Sequence, residues 1–230
     1  MFRQCLRAPS NLISKPIARA TFSAPVAHTQ FFPRAATMAT VSSGNKVSDR
    51  IKHDHKELET FYKKIKEAKT EDDKTKWQNQ FVWELARHSI AEEIVVYPAF
   101  EKYVPDGVTM AEKDRSEHQI VKEKLYEFQK MSASDPNFIP TIDSLWETLS
   151  QHIIEEERDD LPVLEKAIEE SESQSLGNSF QRTKHFVPTQ SHPSAPDRPP
   201  YETAAGLLAT PMDKLMDLFK KFPSSDETKV

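Results

Sequence analysis

The sequence predicts an all-α protein: an antiparallel, up-down-up-down four-helix bundle with a targeting segment before it and an extended tail carrying a short helix after it. Three observations lead there. Glycine is scarce, at 4 of 230 residues, while 29 % of the residues are charged, a balance that favours long helices over sandwiches and barrels. Apolar residues recur at three- and four-residue spacing through four successive stretches. Turn-forming residues separate those stretches, and no alternating strand pattern competes with them.

The leading segment is assigned to residues 1–45. Between Met1 and Ser48 there is no Asp or Glu, while Arg3, Arg7, Lys15, Arg19 and Arg34 are spread among Ser, Ala and apolar residues. That composition is the one expected of a mitochondrial transit peptide, with a disordered basic tail carrying no address as the alternative, and Pro9, Lys15 and Pro16 interrupt the apolar run that a secretory signal needs. The expected location is the mitochondrial matrix, or the cytoplasm for a chain started at Met38.

The helical domain is expected over residues 46–175. Its first helix runs from about Ser48, as N-cap, to Ala68, with Ile51, Leu58, Tyr62 and Ile65 on one stripe. The second runs from about Asp73 to Lys102 through Trp77, Phe81, Leu85, Val95 and Ala99, with Pro98 bending it near its end. Pro105-Asp106-Gly107 makes a turn. The third runs from about Thr109 to Met131 with Val121, Leu125 and Phe128 inward, and Asp135-Pro136 ends it. The fourth runs from about Ile139 to Glu170, with Ile142, Leu145, Trp146, Leu149, Ile153 and Leu164 inward and Pro162 as a kink or as the start of a short extra helix. Helices of this length joined by short turns pack as an antiparallel bundle.

Several function classes fall away. No apolar run reaches the roughly 20 residues that span a bilayer, so no transmembrane segment is expected. The formal net charge of -5 gives no reason to expect nucleic acid. The single cysteine, Cys5, excludes an internal disulfide and an all-thiolate metal site. Any metal must therefore be held by nitrogen and oxygen.

Those ligands are present. Four of the eight histidines fall one per helix: His55, His88, His118 and His152. At 100° per residue, each shares a face with the apolar stripe of its helix, whereas His53 points away. A single histidine on such a stripe is usually a hydrogen-bonded core residue, but four at one level of a core need a common partner. His88 is followed four residues later by Glu92, and His152 by Glu156. Four residues advance a helix by one turn and about 40°, so each pair presents nitrogen and oxygen to one point. Glu93, Glu155 and Glu157 point elsewhere. A carboxylate in a bundle core calls for a cation, and two of them can bridge two divalent ions. Imidazole with carboxylate suits iron, manganese or zinc. The competing reading is a solvated bundle in which these residues pair with one another.

At these residues a family resemblance emerges. The stretches DHKEL, HSIAEEIVVYPAFEKY, EHQIVKEKLYE and HIIEEERDDLPVLEKA resemble the hemerythrin-like, or HHE cation-binding, domain over about residues 48–170, and the tail resembles the extension of its fungal members. The resemblance implies two iron ions as cofactor, ligated by His55, His88, Glu92, His118, His152 and Glu156, with both glutamates bridging. It departs from the oxygen-carrying hemerythrins at Lys122, where those proteins have a second histidine one turn beyond the first. Dioxygen, peroxide or nitric oxide are the implied small ligands. The expected function is binding or sensing of dioxygen or peroxide, or iron handling. The alternatives are a di-iron oxidoreductase that reduces peroxide or nitric oxide, and a purely structural helical module. An iron-binding protein is favoured over a dedicated enzyme because nothing in the sequence names an electron donor.

Three further features complete the reading. Lys122 is read as a lysine whose stem lies along the bundle and whose ammonium reaches solvent, in preference to a group supporting the metal ligands from behind. Tyr62 is read as core packing with its hydroxyl at the rim, or as a donor to the metal site. Residues 176–230 are read as a Pro-rich strap followed by a short helix. In that helix Thr210 is the N-cap, Pro211 the first helical residue, and Met212, Leu215, Met216 and Phe219 a stripe expected to pack on the bundle, with a membrane-surface helix carrying Lys214, Lys220 and Lys221 as the alternative. His185 and His192 lie in the tail with nothing to bring them together.

Overall fold

The computed structural model describes residues 46–198 and 201–229, with the backbone alone for 201–208; the expected targeting segment lies outside the described residues. All regular structure among them is helical. In chain order the α-helices are α1 (Val47–Glu67), α2 (Glu71–Ala91), α3 (Tyr97–Tyr103), α4 (Gly107–Phe128), α5 (Phe138–Glu155), α6 (Leu161–Ala167), α7 (Glu170–Thr183) and α8 (Tyr201–Asp217).

Local chemistry sets the boundaries. Thr70 caps α2, its hydroxyl accepting from the Asp73 amide at 3.0 Å, and Glu71, Asp72 and Asp73 put negative charge at the positive end of the helix dipole. Between α3 and α4, Asp106 takes a left-handed conformation at φ 60°. A Cβ on the next residue, Gly107, would lie 1.9 Å from the Phe100 carbonyl oxygen, so only glycine fits this reversal.

Two helices are interrupted in the same way. A π-helical segment, Glu92–Val96, joins α2 to α3, and another, Glu156–Asp160, joins α5 to α6. Each leads at once into a helix with a proline near its start, Pro98 or Pro162. A proline inside a helix lacks an N–H and crowds the carbonyl four residues back; the wider π turn makes room for it. Both π segments begin on a glutamate four residues after a histidine, so the distortion sits where the chemistry is concentrated.

The core divides into two apolar clusters. The first gathers Leu58, Phe61, Phe81, Leu85, Val121, Leu125, Phe128, Phe138, Ile142, Leu145 and Leu149; the second gathers Ile51, Val96, Tyr97, Phe100, Leu161, Leu164 and Phe180. Along α1 the second cluster comes first. The order reverses along α2–α3, reverses again along α4, and once more along α5–α6. In every case the histidine singled out from the sequence stands between the two clusters. Burying a large apolar side chain contributes about 1.5–3 kcal/mol, so these clusters hold the polar layer between them at a fixed level.

The tail differs from its sequence reading in three respects. The fourth helix was expected to run on to Glu170, but it ends at Ala167 and a separate helix, α7, comes next. Only Ser173, Gly177 and Phe180 of α7 are buried, too little apolar content to show as a periodic stripe. Pro211 lies inside α8 rather than at its start, and the Thr210 hydroxyl donates to the Phe186 carbonyl at 3.0 Å instead of capping. The apolar face of α8 is turned outward: Met212 is 62 % and Leu215 51 % exposed, and Phe219 lies beyond the end of the helix. Its inward face is polar, because buried Asp213 accepts from the amides of Thr189 and Gln190 at 3.1 and 3.2 Å.

Candidate metal centre

His55, His88, Glu92, His118, His152 and Glu156 all lie in one layer, and each is buried. His88 Nε2 is 3.3 Å from Glu92 Oε2, and His118 Nε2 is 3.5 Å from the same oxygen. His55 Nε2 is 3.4 Å from Glu156 Oε2. The Nε2 atoms of His118 and His152 are 3.0 Å apart. Glu92 thus stands between one imidazole of α2 and one of α4. His53, 55 % exposed, is on the outside.

Behind each ring stands a carboxylate on the other nitrogen. His55 Nδ1 is 2.8 Å from Glu157, His88 Nδ1 3.3 Å from Asp54, His118 Nδ1 3.3 Å from Glu93, and His152 Nδ1 2.8 Å from Glu117. An Nδ1–H donated outward fixes the tautomer and leaves the Nε2 lone pair facing inward, the arrangement found behind metal-bound histidines. In that tautomer His118 and His152 face each other as two acceptors, so no hydrogen bond joins the two rings.

Sequence reasoning missed several of these groups. Glu93, expected to point elsewhere, is fully buried. Lys122, expected to reach solvent, is buried and its Nζ donates to Glu93 at 2.6 Å. The reason is mutual: burial of either charge alone is prohibitive, and each neutralises the other behind His118. Glu157, also set aside, accepts from His55. Tyr97 was not considered at all, yet its hydroxyl lies 2.9 Å from His118 Nε2 in the heart of the layer. Its one sequence signal is its place in the stretch that also holds Glu92, five residues on; only the π turn between them brings it round to the same face. Tyr62 keeps to the rim, donating to Asp143 at 2.9 Å and stacked on Trp146. His192 pairs with Asp213, and His185 is exposed.

Electrostatics show how strongly the layer is charged without a cation. Burial and repulsion from Glu156, Asp54 and Asp114 push the Glu92 carboxyl well above its usual range. Burial acts the same way on Glu156, but His55 beside it overrides this and holds it at about 2. Burial opposes charge on His55, and Glu156 and Glu157 raise it to about 9 all the same. Burial takes His118 down to about 4 despite Glu93. Against its burial, Glu117 and Glu156 raise His152 as well, so protonated imidazole takes the place of a cation beside the two glutamates.

The fit of a metal is tested by the atoms left over. His55 Nε2, both oxygens of Glu92 and both oxygens of Glu156 are buried without a hydrogen-bond partner, and leaving such groups unpaired costs several kcal/mol in sum. All five belong to the converging residues. His55, His88 and Glu92 each offer an atom within 4.8 Å of the others, so a single ion can reach all three.

Comparison with known proteins agrees. The profile of the Hemerythrin HHE cation binding domain matches residues 46–164. The chain belongs to the hemerythrin HHE family. A hemerythrin-like protein of Schizosaccharomyces pombe is 59 % identical over 179 residues, 77 % of this chain and 88 % of the relative. A protein of Nostoc named DNA nickase is 21 % identical over 153 residues, 66 % of this chain and 43 % of its own length. The crystal structure of a hemerythrin HHE cation binding domain-containing protein from Mycobacterium kansasii shares the fold, with a TM-score of 0.53 and 23 % identity over 61 % of this chain and 85 % of that one. Membership in a cation-binding hemerythrin family, together with clustered His and Glu groups, makes this a metal-binding domain. No helix among the described residues is long and apolar enough to cross a membrane.

Proposed function

We propose that this chain holds two iron ions between His55, His88, Glu92, His118, His152 and Glu156, with both glutamates bridging, in an up-down-up-down four-helix bundle. It binds or senses dioxygen or peroxide, or handles iron. The observation that carries the reading is the set of five unpartnered donor atoms aimed at one layer. The alternating order of the two apolar clusters along successive helices supports the bundle topology. Manganese and zinc suit the same donors less well on family grounds. Iron supplies redox chemistry toward dioxygen and peroxide when bound.

The chain's own residues do the rest. Glu157, Asp54, Glu93 and Glu117 orient the four rings. The apolar clusters exclude bulk water from both sides. Tyr97 brings a phenol O–H to the centre, and burial together with the neighbouring carboxylates keeps it protonated, its acidity pushed far from the neutral range. Tyr97 Oη lies 2.9 Å from His118 Nε2, which lies 3.0 Å from His152 Nε2, so the phenol stands in one row with two ring nitrogens that would hold a metal. This favours Tyr97 as a further ligand or as a hydrogen-bond donor at the site. A second reading, reduction of peroxide or nitric oxide, draws on the same place: Tyr97, kept protonated, is positioned to donate a hydrogen bond to a small molecule held there. For residues 1–45, outside the described residues, the mitochondrial address remains our proposal.

The test is metal analysis with an absorption spectrum. About two irons per chain and an iron–oxygen band are expected, both lost in His88→Ala and in Glu156→Ala. Metal-free protein that takes up no ferrous iron overturns the reading.

A further inference from the structure

One buried acid of the polar layer, unlike Glu117 beside it, has no hydrogen bond to any of the six converging residues. Asp114 lies on α4, one turn before His118. It is 0 % exposed, and neither carboxylate oxygen has a hydrogen-bond partner. One of its oxygens lies within 4.8 Å of ligand atoms of Glu117 and His152. Glu117 is 28 % exposed, so this trio runs from solvent to the interior, where His152 belongs to the centre. Asp160, also buried, stands close enough to act electrostatically on both Asp114 and Glu156.

A lysine closes the outer end. Lys113 is 47 % exposed, and its Nζ lies 2.8 Å from Glu117, 2.9 Å from Glu155 and 3.9 Å from Asp114 Oδ1. That last separation is too long for a hydrogen bond. Lys113 therefore places a positive charge over the acidic lane without satisfying the carboxylate beneath it. A long lysine stem at the surface is easily displaced, whereas an unpaired buried carboxylate is among the costliest groups a fold can carry. Two or three carboxylate oxygens with one imidazole make a set that suits a divalent ion still partly hydrated.

We propose that Asp114, Glu117 and His152 form an uptake site for a divalent cation, ferrous iron in the first instance, through which the ion passes from solvent to the centre as Lys113 swings aside. Glu117 meets the ion at the surface, and Asp114 strips part of its water and brings it against His152 and Glu156. Asp160 adds to the negative potential along the lane. The proposal rests on the metal-binding reading and adds a route and a transient site to it.

The experiment is anaerobic loading of the metal-free, full-length protein with ferrous iron, tracked in a stopped-flow spectrometer, with the final metal content measured separately. Asp114→Asn is expected to slow loading on the order of ten-fold while the final metal content matches the wild type. It should also raise the thermal midpoint of the metal-free protein, because an unpaired buried charge is gone. Lys113→Met is expected to speed loading. An unchanged loading rate in Asp114→Asn overturns the proposal, and so does a lower final metal content, which would make Asp114 a resident ligand. Should Asp114→Asn fail to fold, Lys113→Met decides: faster loading supports the lane, and an unchanged or slower rate overturns it. Wild-type protein that takes up no ferrous iron at all defeats the metal-binding reading instead, so the two failures are told apart.

Discussion

The two flanks of the polar layer bury acid in different ways. On the α1–α2 flank, Asp54 and Glu84 are buried, and both accept from the ammonium of Lys184, itself buried just after the end of α7. Arg87 adds a guanidinium to Glu84 at 2.5 Å. On the α4–α5 flank, Asp114 is buried just as deeply with only a distant lysine above it. The first flank carries its own cations, and one of them is contributed by the tail. The second leaves its carboxylate open to a cation from outside. A buried acid beside a metal centre is thus structural or functional according to whether the chain supplies its partner.

Removing the internal cation should have the largest effect. Lys184→Met takes the ammonium from buried Asp54 and leaves Glu84 with Arg87 alone, and breaking such a buried pair costs about 3–5 kcal/mol. Urea unfolding of the metal-free protein should show that loss, and a second substitution, Glu84→Gln, should restore part of it. The opposite sign is expected for Asp114→Asn on the other flank. If Lys184→Met unfolds at the wild-type midpoint, the flanks do not differ and the comparison is broken. Because Asp54 also backs His88 Nδ1, the same variant should hold iron less tightly, on the order of ten-fold, as a chelator competition would read.

The next effect is smaller and sharpens the contrast. A phenol faces the centre only on the side of His118 among the described residues. Tyr97→Phe deletes one hydroxyl and leaves the ring packing. The hydrogen bond is worth about 0.5–1.5 kcal/mol, so thermal unfolding should move little. The absorption spectrum of the iron-loaded protein is the sensitive readout. A marked loss of visible absorption indicates ligation by the phenol, a small band shift indicates hydrogen bonding, and an unchanged spectrum removes Tyr97 from the site.

The contrast between flanks also shows what a sequence makes legible. Helical phase placed six histidine and glutamate side chains in one layer because each lies four residues or one turn from an apolar neighbour on the same helix. The partners behind them were hidden, since they come from elsewhere. Lys184 reaches Asp54 across 130 positions and Glu84 across 100. Glu93 was set aside by its angle, although a π turn starting at Glu92 rotates every later side chain of that helix away from its regular direction. Lys122 was read as reaching solvent along its stem, because its partner Glu93 comes from another helix, 29 positions away. Tyr97 stands just after the same π turn, so a regular helical wheel misplaces it as well. In the tail, α8 presents its polar side inward through Asp213, which reverses the rule that the apolar stripe faces the core.

The smallest expected effect concerns how that tail, which delivers Lys184 to the first flank, is held. Asp213 accepts from the amides of Thr189 and Gln190 and from His192 Nε2, at 3.0 Å for the last. The bond to Asp213, opposed by partial burial, raises the His192 pKa above its ordinary value. A histidine whose folded pKa is raised stabilises fully below its unfolded value, about 6.5, and loses that contribution as pH rises through the folded value. The tail should therefore be held more firmly at pH 6 than at pH 8.5. His192 is 39 % exposed, so solvent screens the pair and the change is modest. Hydrogen exchange at the Thr189 and Gln190 amides, corrected for intrinsic rates, should show less protection at the higher pH. His192→Gln should remove that dependence and leave the low-pH protection reduced. Equal protection at both pH values would mean that Lys184 and Ser191, which donates to the Lys122 carbonyl at 2.6 Å, hold the strap without help from His192. The first flank would then owe its internal cation to the anchoring at those two residues alone.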